Sequence, residues 1–294
     1  MGVIYEFRGD PAGGETFAEA VRAEKAVGRL ALPPEVEGHP LRRIGAHAFS
    51  DQTDLLEIEI PDTVREIRSY AFYGCERLRR IRLSDSVSDL YDGVIRLCPS
   101  LREIEIDLRR GGYRLVEDLL GDTDACLRLL LHGPDGDACL VFPSYADEAR
   151  EDPWARAIHI SIVGCGYRYR QCVSRKGIDY REYDRLFSWA AQRYSDPAAE
   201  TALARLRYPF RLDASAGEAY RSWLGAHWKE TALMLLDRTD TEGLAVLLDA
   251  AHPDRDGLDA ALRKASENGN TEAGALLMSA SGGRDRREPE TFTL

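Results

Sequence analysis

The sequence predicts an α+β chain in three parts: a short solenoid of stacked coils, a small β-rich connector and a C-terminal α-helical domain. Three observations predict it. Apolar residues recur every 23 positions between Ile44 and Ile106, β-prone runs and turn formers fill the stretch that follows, and helical apolar spacing takes over from Tyr180. These place a solenoid with its entry cap at residues 1–107, the connector at 108–176, the helical domain at 177–281 and a flexible tail at 282–294.

The 23-residue register is carried by Ile44, Ile67 and Leu90, by Leu55, Leu78 and Leu101, and by Ile58, Ile81 and Ile104. Phe49, Phe72 and Ile95 keep it, as do Ile60, Leu83 and Ile106, and the pair Val64 and Val87. A coil of this size cannot bury its apolar face alone and must stack on the next, which is why a fixed period of this length marks a solenoid. Within each period a segment such as Leu55-Leu56-Glu57-Ile58-Glu59-Ile60 alternates like a short parallel strand, and the return side runs from Ile67 through Phe72 to Cys75. Cys75 and Cys98 share one register and read as small buried packers. Ahead of the repeats, Val3 to Arg8 and Arg29 to Pro33 read as strands and Thr16 to Lys25 as weakly helical, while Arg8-Gly9-Asp10 spells an adhesion tripeptide that is common by chance.

Ile44-Gly45-Ala46-His47-Ala48-Phe49, Ile67-Arg68-Ser69-Tyr70-Ala71-Phe72-Tyr73-Gly74-Cys75 and Ile60-Pro61-Asp62-Thr63-Val64 resemble the BspA-type leucine-rich repeats of bacterial and protist proteins. The resemblance covers about residues 29–107 and implies a leucine-rich-repeat solenoid used for binding or as a surface module. The third repeat departs from it, with Gly93-Val94-Ile95 where Ala-Phe is expected.

Aligning the repeats stacks Glu57, Arg80 and Glu103 in one column and Glu59, Arg82 and Glu105 in another. Neighbouring parallel strands lie about 4.8 Å apart, so each arginine is expected between two glutamates. The columns read either as a self-satisfied ladder that fixes register or as the binding face of the solenoid.

In the connector, Cys126 to Leu131 and Ala138 to Phe142 flank a turn-forming His132-Gly133-Pro134-Asp135-Gly136-Asp137, a hairpin signal. Ala157 to Val173 reads as a strand bent at Gly164-Cys165-Gly166. Tyr167, Arg168, Tyr169 and Arg170 are the local basic and aromatic cluster: either a base- or phosphate-binding patch, or a strand packed on the helices. Further on, Tyr183, Leu186, Phe187, Ala190 and Tyr194 share a helix face, and Asp196-Pro197, Ser215 with Glu218, and Thr239 with Glu242 read as helix starts. Leu258 to Leu277 resembles the paired helices of an ankyrin repeat, and Leu247-Leu248, 29 positions before Leu276-Leu277, suggests a second copy.

Composition sets the class of function. The 294 residues are 44% apolar and 30% charged with net charge −11, unlike the basic footprint of nucleic-acid binders. No apolar run is long enough to span a membrane, and no export signal opens the chain, so six cysteines without a CxxC pair indicate free thiols in a reducing cytoplasm. The six histidines show no ligand spacing, and no phosphate loop or nucleophile elbow is present. The expectation is a non-enzymatic, cytoplasmic scaffold or adaptor that binds another protein, without cofactor, metal, nucleic acid or membrane. The alternatives are a surface or host-facing binding protein, and an enzyme with its site in residues 108–195 and Cys165 as nucleophile.

Overall fold

A computed structural model describes residues 2–9, 14–152 and 157–282, with the backbone alone at 147–152, 157–161 and 281–282. Asp10 of the adhesion-like tripeptide and residues 283–294 of the expected tail lie outside the described residues. The chain divides into two compact units, Met1–Leu186 and Phe187–Leu294.

In the first unit the elements follow in the order β1 (Val3–Arg8), β2 (Phe17–Ala23), β3 (Gly28–Ala31), β4 (Glu35–Val36), β5 (His39–Ile44), β6 (Leu55–Glu59), β7 (Glu66–Ile67), β8 (Arg80–Ser84), β9 (Asp89–Leu90) and β10 (Glu103–Asp107). Helix α1 (Arg114–Gly121), the hairpin β11 (Leu127–Gly133) and β12 (Gly136–Phe142), and the hairpin β13 (Tyr145–Asp152) and β14 (Ala157–Gly164) come next. Short α2 (Gly166–Arg170), β15 (Val173–Ser174) and β16 (Gly177–Ile178) follow, and α3 (Tyr180–Ala191) begins in this unit, which ends at Leu186.

Successive coils lay one strand in each of two sheets. One sheet runs β3-β6-β8-β10-β11, all parallel, with β12 antiparallel at its edge; the other runs β2-β5-β7-β9, with β1 antiparallel at its edge. About five turns of β-solenoid result. The predicted apolar columns are its core: Leu55, Leu78 and Leu101 are buried, as are Ile58, Ile81 and Ile104, and Phe49 stacks on Phe72 with centroids 5.4 Å apart.

Hydrogen bonding in the strand sheet runs unbroken past residue 107. Leu129 of β11 pairs with Ile104 of β10, and Leu30 of β3 with Ile58 of β6, so the Ile58 column extends by one coil at each end. Those steps are 25 and 28 residues instead of 23, which hides them from a fixed-period reading. Thr16 to Lys25, expected to be weakly helical, contains β2: its Ala18 and Ala20 are buried between β1 and β5, and tertiary pairing overrides their helix propensity. The expected strand through residues 165–173 is likewise corrected, since β14 stops at Gly164 and α2 follows.

The end of the stack shows why the third repeat departs from the pattern. In each coil two residues take left-handed backbone, His47, Tyr70 and Gly93 in one register and Asp51, Gly74 and Leu97 in the other. The His47 and Tyr70 rings stack at 5.2 Å, and a Cβ on Gly93 would sit 2.4 Å from the Tyr70 ring, so only glycine fits there. Beyond this coil no further coil receives the backbone N–H groups of Gly93 and Ile95. Asp122 accepts both, at 2.7 and 2.8 Å, and burial pushes its carboxyl above the ordinary range. Helix α1, unmarked in the sequence reading, lies against β9 and buries Leu115, Val116, Leu119 and Leu120.

The second unit is helical: α4 (Ser195–Arg207), α5 (Ala214–Ala226), α6 (Trp228–Asp237), α7 (Thr241–Ala250), α8 (Arg255–Glu267) and α9 (Thr271–Gly282). No β-strand occurs among its described residues. Helix α6 packs on α8 and α7 on α9 at a spacing of 30 residues, not 29. Trp228 matches Leu258, Thr231 matches Ala261, Leu235 matches Ala265 and Leu247 matches Leu277, all buried. The turns match too: Thr239 and Gly269 both take positive φ, and Asp240 and Asn270 each accept a backbone N–H three residues on, from Gly243 and Ala273. The helix starts therefore sit at Asp213, Asp240 and Asp254, beside the expected Ser215 and Thr239; α4 likewise begins at Ser195, with Pro197 inside its first turn.

Gly93→Ala should destabilise the first unit by about 2 kcal/mol, because a left-handed residue gains a Cβ against an aromatic ring. Chemical denaturation measures it, and restoring space with Tyr70→Ala should recover part of the loss.

Candidate functional site

The parallel sheet carries a ladder of charged side chains. The backbone register brings together Glu57, Arg80 and Glu103, and Glu59, Arg82 and Glu105, as the sequence spacing predicts. It then adds members that the period could not supply. Arg29 stands beside Glu57 and pairs with it at 2.9 Å, and Arg128 stands beside Glu103 and pairs at 3.6 Å, so the first column alternates in sign over five strands.

Besides the pairs across each rung, two lean along the sheet, Arg80 to Glu105 and Arg82 to Asp107. Arg80 holds Glu103 at 3.2 Å and makes a very short contact to Glu105; Arg82 reaches Glu105 at 3.4 Å and Asp107 at 3.6 Å. Glu105 is the hub. Its side chain is only 6% exposed, flanked inward by Ile104 and Ile106, and it also meets His132 Nε2 at 3.1 Å. Burial raises the pKa of such a group, but Arg80, Arg82 and His132 together outweigh burial and hold it below the usual carboxylate range.

The fold divides the second cluster. Tyr167, Arg168, Tyr169 and Arg170 lie on α2, not on a strand. Tyr169 is buried edge-on to the Tyr183 ring at 4.8 Å, and burial pushes its hydroxyl pKa up. Arg170 is turned inward and donates to the carbonyls of Pro143, Ala125, Thr123, Gly166 and Leu120, the first two at 2.7 Å. A guanidinium occupied by five carbonyls has no donor left to clamp a phosphate. Tyr167 alone of the two tyrosines is exposed, its ring 5.7 Å from that of Tyr145.

Other polar groups are spent on the fold as well. Asp85 accepts from the backbone N–H groups of Arg109, Arg110 and Gly112, at 2.9, 2.7 and 3.1 Å, and fixes the turn after β10. The Tyr183 hydroxyl donates to the Val141 carbonyl at 2.7 Å and accepts from its N–H at 2.8 Å, which satisfies the outer edge of β12. Cys165, the nucleophile of the enzymatic alternative, is 1% exposed, and burial pushes its thiol up to about 11. That is the opposite of what an attacking thiolate needs. Cys75 and Cys98 are buried as expected, each donating to a backbone carbonyl of the preceding coil.

One further feature is open to solvent. A cleft of about 880 Å³ lies at the end of the coil stack, lined by Arg77, Arg96, Leu97, Asp122, Asp124 and Tyr145 among others. Leu97 projects there 60% exposed.

Glu105→Gln should cost about 1–2 kcal/mol, because the hub loses its charge-assisted bond to Arg80 and its looser ion pair with Arg82. The native carboxylate's pKa is depressed, so its contribution is present above the unfolded value near 4.5 and is lost as pH falls through the lower folded value. Denaturation midpoints between pH 3 and 7 should therefore fall less steeply towards acid in the variant than in the native chain.

A family model described as the BspA type leucine rich repeat region matches residues 37–110, in six copies. No curated protein matches. Among solved structures, the chain is similar to a leucine rich cell surface protein from Faecalibacterium prausnitzii, at 27% identity and TM-score 0.30 over 35% of this chain and 31% of that one. It is also similar to a leucine-rich repeat protein from Bacteroides ovatus, at 31% identity and TM-score 0.23 over 25% and 19%, and to the T. pallidum leucine rich repeat protein, at 18% and 0.23 over 34% and 68%. The chain thus spans about a third and a fifth of the first two of these. Residues 37–110, which match that repeat model, are the central coils of the solenoid.

Proposed function

We propose that the chain is a non-enzymatic protein-interaction module, a scaffold or adaptor that presents a rigid repeat surface to another protein. Leucine-rich repeats commonly mediate protein–protein interaction or surface binding, and residues 37–110 carry that type. The observation that carries the reading is how the reactive and charged groups are used. Arg170, Asp85, Asp122 and Tyr183 are committed to backbone groups, and Cys165 is buried with a raised pKa. What remains is extended surface on a stiff frame, with the Leu97 cleft as its open apolar end.

The helix pairs support an interaction role too. Paired helices stacking at a 30-residue spacing make a second repeat array of ankyrin-like kind, although without a β-strand among the described residues. Cytoplasmic placement is part of the proposal and rests on six free cysteines, a composition suited to a reducing compartment.

The test is recovery of tagged full-length protein from its native cells, beside a version ending at Tyr194. That cut keeps α3 whole, whereas a cut at Asp107 would strip β11 from β10. A stoichiometric protein partner in the cytosolic fraction is expected, and its loss on truncation would assign recognition to the helices. Absence of any partner, or recovery mainly outside intact cells, would overturn the reading.

A further inference from the structure

Glu105 and Asp107 of β10 and His132 of β11 are scattered in the sequence, but the fold brings one ligand atom from each within 4.8 Å of the others. Asp107 and His132 are direct cross-strand neighbours, and His132 in turn neighbours Asp137 on β12. His132 Nε2 lies 3.1 Å from Glu105 Oε1, and its Nδ1 lies 3.1 Å from Asp137 Oδ1. A neutral imidazole has a single N–H. Whichever carboxylate receives it, the other ring nitrogen points a lone pair at a carboxylate oxygen, which is repulsive unless positive charge, a second proton or a metal ion, lies between them.

The surroundings say on which side that charge belongs. With Nδ1–H donating to Asp137, the Nε2 lone pair faces Glu105 and Asp107; a carboxylate behind an imidazole in this way orients and strengthens metal-binding histidines. Arg80 contacts Oε2 of Glu105, while Oε1 faces His132. Arg82 is the competing cation. Its contacts, 3.4 Å to Glu105 and 3.6 Å to Asp107, exceed the 2.7–3.2 Å of an N–H···O hydrogen bond, and its side chain is 45% exposed. A guanidinium held that loosely has room to swing into solvent.

We propose that Glu105, Asp107 and His132 bind a divalent transition ion of the zinc class, with Asp137 orienting the imidazole and Arg82 withdrawing as the ion enters. One imidazole and two carboxylates form a ligand set that zinc accepts, with a fourth position for water. The nitrogen ligand disfavours magnesium and calcium, which take oxygen donors. A bound ion would cross-link β10 and β11, and through Asp137 would brace β12, at the closing end of the sheet.

The test uses chelator-treated full-length protein, titrated with zinc chloride by calorimetry and with cobalt chloride by visible spectroscopy at neutral pH. One ion per chain is expected, unaffected by millimolar magnesium, and the cobalt spectrum should lack the thiolate charge-transfer bands that the six cysteines would produce. His132→Gln should lose binding, and Asp137→Asn should weaken it about 10- to 100-fold. Arg82→Gln should strengthen it, a direction that a histidine with a merely structural role would not give. No ion bound at millimolar concentration, thiolate bands in the cobalt spectrum, or affinity unchanged in Arg82→Gln would each overturn the proposal. If His132→Gln fails to fold by circular dichroism, the Asp137 and Arg82 variants decide alone.

Discussion

The constraint on which the first unit depends is the backbone hydrogen bond from one coil to the next. Phe49 N–H donates to Ala71 and Phe72 N–H to Val94, and the strands of the parallel sheet pair residue for residue. Once that register is set, position within the coil decides everything else about a side chain. Apolar positions become continuous columns, charged positions become rows of alternating sign, and left-handed positions recur at the same two corners. Each cross-strand ion pair contributes only about 0.2–1 kcal/mol. The rows therefore select the register more than they hold the fold together; burial of the columns does that.

A stack built this way has an end problem, because its last coil exposes donors and acceptors with no neighbour. The chain solves it with different devices on the two sheets. The strand sheet continues into β11 and then reverses into β12, whose outer edge at Val141 is filled by the Tyr183 hydroxyl. The other sheet stops at β9, where α1 covers the edge, and Asp122 stands in for the missing coil by accepting from Gly93 and Ile95. Stiffness and function are linked here: a stack whose last coil is capped keeps its surface geometry whether or not a partner is present.

The parts legible in sequence were those that a fixed period governs. The columns through Ile44, Leu55 and Ile58, and the sign alternation from Glu57 to Arg80 to Glu103, follow from spacing alone. Arg29 and Arg128 join the Glu57 row and His132 stands beside Asp107, yet insertions change the spacing at both ends and hide them. Helix α1 and strand β2 were missed or misread because they are set by what they cover, not by their own pattern. Tyr169 and Arg170 read either as a ligand patch or as packing groups, since sequence shows residue type but not direction; the fold turns both inward. Among the helices, the pairing was visible from Leu258 to Leu277, while the cap expected at Thr239 falls one residue on, at Asp240, whose carboxylate accepts the Gly243 N–H.

These observations make the solenoid one cooperative body that runs through β11 and β12. Native-state hydrogen exchange resolved by residue tests this most directly. The account predicts that amides of β11 are protected to the same free energy as those of β8 and β10, and that Glu105→Gln lowers all three together. Exchange from β11 and β12 at a distinctly lower free energy, untouched by that substitution, would show a separate connector docked on a shorter stack and would contradict it.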